Sequence, residues 1–180
     1  MKSDPDFEEI ARRATGIKLL LMDCDGVLTD GRLELLENGD EQKTFHARDG
    51  LGISLFHRAG LRTGIISGRT SSAVERRARD LEMAYVRQYA KDKVKVLDEI
   101  LTLARVSLRE CAYIGDDLAD IPVMRRVELA CAVADAAPET KQAAHFVSEH
   151  NGGHGAVREV TDLILKAQGR WEELMKTYTA

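Results

Sequence analysis

With 180 residues, 44% of them hydrophobic and 31% charged, and only three prolines, the chain can bury one proper core and falls outside the disordered and fibrous classes. A net charge of −4 with both signs interspersed provides no basic field able to release counterions, which argues against nucleic acid as a partner. No apolar run approaches the roughly 20 residues that span a bilayer, and the acidic opening stretch with Asp4, Asp6, Glu8 and Glu9 lacks the apolar segment of a secretory leader, so no membrane association is expected.

In chain order, Ser3-Asp4-Pro5 ahead of Phe7, Ile10 and Ala11 predicts a capped amphipathic helix. Residues 18–22 form a continuous apolar run. Residues 32–36 and 41–45 then flank Glu37-Asn38-Gly39-Asp40, and Asn-Gly is a strong hairpin turn signal, so a β-hairpin over about 32–46 should project after the first strand. Helical patterns at 51–59, 71–81, 92–104, 118–127 and 156–166 alternate with short unalternated apolar runs at 62–66, 83–86, 111–114 and 129–133. Strand and helix in strict alternation predict a doubly wound α/β fold, a parallel sheet with helices on both faces, as a single domain over 1–180 with residues 169–180 as an appended tail. Cys24, Cys111 and Cys131 are odd in number and lack metal-ligand spacing, so free thiols, as in a reducing cytoplasm, are expected.

In open α/β sheets reactive groups collect beyond the carboxyl ends of the strands, and here those ends are polar. The first strand runs into Asp23-Cys24-Asp25, the second core strand into Ser67-Gly68-Arg69, and the fourth into Gly115-Asp116-Asp117-Leu118-Ala119-Asp120. Taken singly, each could be a turn or a helix cap. Lys93 opens a helix, where the dipole disfavours a cation. Carboxylates converging at one edge raise one another's pKa values unless a cation sits among them, and Mg²⁺ suits an all-oxygen site that keeps water and phosphate ligands.

Asp-x-Asp-x-Val-x-Thr at Asp23, Ser67, Lys93 and Gly-Asp-Asp-x-x-x-Asp at Gly115 resemble, in order and spacing, the motifs of the haloacid dehalogenase superfamily. The resemblance implies a Rossmann-like core in which Asp23 attacks phosphorus and Asp25 serves as acid and then base. It further implies that Ser67 and Lys93 hold the phosphoryl group, and that Mg²⁺ binds Asp23, the Asp25 backbone carbonyl and Asp116, with Asp117 and Asp120 supporting Lys93 or metal-bound water. The intervals between motifs have no room for an inserted cap domain. Gly26 to Gly31, Phe45 to Ile53, Ser67-Gly68-Arg69 and Gly152 to Glu159 resemble the capless 3-deoxy-D-manno-octulosonate 8-phosphate phosphatase family of lipopolysaccharide synthesis. That likeness implies homotetramers and places His46, Ala47, Arg48, Asp49 and Gly50 along the sugar.

Arginine recognises carboxylates through its planar fork, which makes Arg48, Arg69 and Arg77 candidates for the sugar-acid carboxylate. Apolar Leu33, Leu35 and Phe45 give the hairpin a surface that a neighbouring subunit could cover. Tyr89 stands where that family usually has glycine. A nonulosonate 9-phosphate phosphatase and a non-catalytic oligomerisation module are the competing readings.

Overall fold

The computed structural model describes residues 5–37 and 40–179. Its centre is an all-parallel sheet in the order β5-β4-β1-β6-β7-β8, built from β1 (Leu19–Met22), β4 (Arg62–Ile66), β5 (Tyr85–Arg87), β6 (Cys111–Gly115), β7 (Leu129–Ala132) and β8 (Phe146–Val147). Every residue of β1, β6 and β7 is buried. Because successive side chains on a strand point to opposite faces, burial of all of them requires cover on both faces, which explains the unalternated apolar runs. One cover group is α1 (Pro5–Ala14), α2 (Ala47–Arg58) and α7 (Ala156–Ala167), which pack on one another; α4 (Lys93–Ala104), α5 (Ile121–Met124) and α6 (Pro138–Ala143) form another. Between them lies one cluster of buried apolar residues around Leu19, Leu20, Leu21, Ile65, Tyr113 and Ile114. Truncating any of these leucines to alanine should cost about 2–5 kcal/mol.

The register positions the chemistry. Met22 lies opposite Ile65 on one side and Ile114 on the other, so β1, β4 and β6 end at one level. The residues that follow each strand therefore share one edge.

Several expected elements differ in the structure. The hairpin keeps only β2 (Glu34–Leu35) and β3 (Glu41–Gln42); the Asn38-Gly39 turn and the Ser3-Asp4 cap lie outside the described residues. Phe45 is part of neither strand and packs against the core. The helix expected over 118–127 splits into a 3-10 turn (Leu118–Asp120) and the short α5, because Pro122 near its start cannot donate to a continuing helix. The helix expected from 51 begins at Ala47, with His46 as its N-cap. Edge strand β8 and helix α6 were not expected. The tail is no loose appendage: α8 (Trp171–Thr179) packs on α7, Leu174 is buried, and Arg158 and Lys166 lie over the Trp171 ring.

Candidate active site

Asp23 leaves β1 with its N–H bonded to the Ile114 carbonyl (3.0 Å), which locks its backbone to β6. Carboxylate oxygens of Asp23, Asp116 and Asp120 all lie within 4.8 Å of one another. The loop after Asp23 is shaped around them. Gly26, at φ +91°, lies so close to Asp116 that a Cβ there would fall 2.1 Å from the carboxylate. Thr29 Oγ1 accepts from the N–H groups of Gly26 (3.4 Å) and Gly31 (3.3 Å) and donates to the Cys24 carbonyl (3.4 Å), closing the loop on itself. Gly152 and Gly153 then lie against it, Gly153 N–H donating to the Val27 carbonyl (2.9 Å).

Lys93 opens α4, whose N-cap is Asp92, accepting from Lys95 N–H (3.0 Å). Its ammonium is buried 3.0 Å from Asp23 Oδ2 and 2.8 Å from Asp120 Oδ1, which accounts for a cation placed against the helix dipole. Asp120 is fully buried and fully used. Its Oδ1 also accepts from the buried Tyr113 hydroxyl (2.7 Å), and its Oδ2 accepts from the N–H groups of Asp116 (3.0 Å) and Asp117 (3.3 Å). Asp117 is exposed and caps its own turn through Leu118 N–H (2.8 Å).

Asp116 is different: its Oδ1 is buried without a hydrogen-bond partner. Burial, then Asp120 and Asp23, push its carboxyl up to about 8. Burial, opposed by Lys93, lifts Asp23 to about 6. An unpartnered buried oxygen, facing a second carboxylate that its own charge repels, is the arrangement a hard divalent cation relieves, and the all-oxygen donor set suits Mg²⁺.

The Asp25 side chain does not join that group. It lies with Lys43, whose ammonium contacts Asp25 Oδ1 and sits 3.1 Å from Glu41 Oε2; Glu41 Oε1 contacts Arg69, and Arg69 Nε stands 3.8 Å from Asp25 Oδ2. Ser67, buried at the end of β4, receives Arg69 N–H on its Oγ (3.3 Å). Asp25, Ser67 and Arg69 thus share a neighbourhood, and Lys43 and Glu41 join it, unforeseen from the sequence. No local signal marked them, because Glu41 and Lys43 in a polar hairpin read as solvated surface.

Residues 46–50 and Arg77 have other neighbours. Asp49 is buried and accepts from Gly155 N–H (3.3 Å) and Arg158 N–H (2.8 Å), capping α7 from across the interface. It is therefore occupied structurally, where the sequence had placed it along a sugar. Gly50 allows Arg77 to pass, since a Cβ there would meet Nη2 at 2.4 Å, and Arg77 lies over the Phe45 ring at 5.7 Å. His46 Nδ1 is buried 3.9 Å from Asp49 Oδ2. Ala47 is exposed, and Arg48 faces a separate cleft of about 490 Å³ with His150, His154 and Arg158 that contains no member of the Asp23 group.

A profile described as haloacid dehalogenase-like hydrolase matches residues 85–160. The 3-deoxy-D-manno-octulosonate 8-phosphate phosphatase of Yersinia pestis is 42% identical over 168 residues, 93% of this chain and 90% of that one. A probable YrbI family phosphatase from Pseudomonas syringae superposes with a TM-score of 0.94 at 45% identity, covering 96% of this chain and 98% of that one. The Moraxella catarrhalis 3-deoxy-D-manno-octulosonate 8-phosphate phosphatase, solved with magnesium, phosphate and KDO, superposes at 0.93 with 37% identity, covering 95% and 98%.

Proposed function

The chain belongs to the 3-deoxy-D-manno-octulosonate 8-phosphate phosphatase family of haloacid dehalogenase-like hydrolases, and from that premise we propose the substrate and the residues that act on it. It is a phosphoric monoester hydrolase with Mg²⁺ as cofactor, and it converts 3-deoxy-D-manno-octulosonate 8-phosphate to the free sugar acid and phosphate. The observation that carries the reading is Lys93 between Asp23 and Asp120, beside the unpartnered oxygen of Asp116.

Asp23 attacks phosphorus, forming a carboxylate oxygen–phosphorus bond as the bond to the sugar oxygen breaks. Asp25 gives its proton to the departing alkoxide, then takes one from the water that cleaves the aspartyl phosphate, so Asp23 and Asp25 return to their starting states. Ser67 donates to a phosphoryl oxygen, and Lys93 balances charge on the phosphoryl oxygens and on Asp23. Asp120 holds Lys93 and the backbone of Asp116 in place. Asp23, Asp116 and the Asp25 carbonyl would hold Mg²⁺, which when bound neutralises the carboxylates and polarises the phosphoryl oxygen as a Lewis acid.

Arg69, 3.8 Å from Asp25, is the candidate for the sugar-acid carboxylate, with Arg77, which lies over the Phe45 ring, as the second. Exposed Leu33, Leu35 and Leu36 on the hairpin support assembly into a homotetramer. Among the described residues no helix is long and apolar enough to cross a membrane, and the three buried free thiols fit a reducing cytoplasm. Phosphate release from 3-deoxy-D-manno-octulosonate 8-phosphate and from a nonulosonate 9-phosphate, side by side with Mg²⁺ and with EDTA, tests the proposal. Faster turnover of the nine-carbon ester would reassign the substrate, and turnover that survives EDTA would remove the metal.

A further inference from the structure

Asp25 is held by a closed ring of four charged side chains, and two of them come from the hairpin rather than the sheet. In order around the ring, Lys43 contacts Asp25 Oδ1, Glu41 Oε2 lies 3.1 Å from Lys43, Glu41 Oε1 contacts Arg69, and Arg69 Nε returns to Asp25 Oδ2 at 3.8 Å. The Lys43 side chain is only 2% exposed. Lysine almost never buries its ammonium, because leaving water costs more than an ordinary surface contact returns. Glu41 and Asp25 provide the two counter-charges that make this burial tolerable, and the ring sums to zero net charge.

We propose that Lys43 is a positioning residue: from the residue after the second strand of the hairpin it fixes the orientation of the Asp25 carboxylate, with Arg69 facing the other oxygen and Glu41 holding both cations. This rests on the reading of Asp25 as the acid that protonates the leaving alkoxide. A proton donor is effective only when its oxygen is aimed at the atom that receives the proton. Asp25 follows a strand end in a loop and has one rotatable bond beyond its Cβ; without Lys43, one of its oxygens loses its partner. The hairpin thereby becomes part of the acid-base apparatus, a role separate from any subunit contact its tip makes.

The test uses Lys43→Met, which keeps the length and apolar stem and removes the charge, on two esters with Mg²⁺ present. Departure of the alkoxide from the sugar-acid phosphate needs a proton, whereas p-nitrophenolate leaves without one. In single-turnover measurements of leaving-group release, the half-reaction in which Asp25 acts only as acid, Lys43→Met should slow release of the sugar acid about 10–100-fold, while KM and the release of p-nitrophenolate each change by less than about 3-fold. In an Asp25→Asn background, Lys43→Met should add no further loss to that release, because both act through one carboxylate. Equal losses of release from both esters, losses that multiply with Asp25→Asn, or a raised KM at unchanged release would each overturn the positioning role. Asp25→Asn alone separates the two ideas. If it spares the sugar-acid phosphate, the acid assignment fails and the proposal with it; if it is impaired and Lys43→Met is not, only the proposal fails. Should Lys43→Met not fold, judged by thermal melting, Glu41→Gln removes Lys43's second counter-charge and is read by the same pattern across the two esters.

Discussion

Of the carboxylates that burial drives up, Asp49 and Asp116 are treated in opposite ways. At the junction of α2 and α7, Asp49 is 1% exposed, yet the backbone N–H groups of Gly155 and Arg158 donate to it, so the fold itself offsets much of the cost. At the carboxyl edge of the sheet, Asp116 has an oxygen with no partner and two further carboxylates for neighbours. The first site is complete; the second is built to need something from outside. A buried acid alone therefore says little about function, and what distinguishes the two is where each lone pair goes.

The comparison can be broken in several ways. The largest expected effect is on turnover: Asp23→Asn should lower phosphate release with Mg²⁺ by on the order of 10⁴-fold, with the particle mass by light scattering unchanged. Retained turnover would refute a covalent intermediate on Asp23. Next, Asp120→Ala should cost about 3–5 kcal/mol in urea unfolding, because it removes one of the two counter-charges of the buried Lys93 ammonium and leaves the buried Tyr113 hydroxyl without its acceptor. A loss below 1 kcal/mol would mean that Asp120 is not the anchor of the edge.

Metal and proton should compete at Asp116. In the metal-free protein its carboxyl titrates near 8 against an ordinary 3.8, so between those values the folded state holds a proton that the unfolded chain has lost. That contribution to stability is full below the ordinary value and disappears as pH rises through about 8. Metal-free melting temperature should therefore fall from pH 5 to 8.5, and the gain from Mg²⁺ should grow over the same range, reaching about 2.7 kcal/mol at a hundredfold excess over Kd. A gain independent of pH would uncouple the metal from this carboxylate. The smallest effects have opposite signs: Asp49→Ala should lose about 1–2 kcal/mol by uncapping α7, whereas Asp116→Asn should leave the metal-free protein as stable or more so while abolishing the Mg²⁺ gain. Equal destabilisation by both in EDTA would erase the distinction.

The sheet was legible because strands buried on both faces must be apolar at every position, as 19–22 and 111–114 are. Elements too short to show a period were not legible: two-residue β8, and the helix over 118–127 that Pro122 divides. Asp23, Lys93, Asp116 and Asp120 were visible as polar groups at strand and helix ends, and the structure brings them together. Asp25 was visible too, but its partner Lys43 was not, because an isolated lysine in a hairpin reads as solvated surface until the fold closes over it. The capping role of Asp49 was hidden for a related reason. A cap supplied to a helix more than a hundred residues away leaves no local pattern, so Asp49 entered only through the family resemblance, among residues 46–50. The backbone accounts for the glycine expected where Tyr89 stands: φ there is +59°, a left-handed conformation that glycine adopts more cheaply, and nothing in the structure explains the tyrosine.

The glycines beside Asp23, the proposed nucleophile, set a boundary for anyone wishing to redesign this enzyme. A methyl group at Gly152 would lie 1.7 Å from the Gly26 carbonyl, and one at Gly26 would strike Asp116, so a codon change far along the gene is transmitted by contact to the reacting centre. Libraries meant to retune ester preference can randomise Arg69 and the exposed hairpin residues Leu33, Leu35 and Leu36, but variants at 26 and 152 should drop out of any selection for turnover, whatever ester is offered.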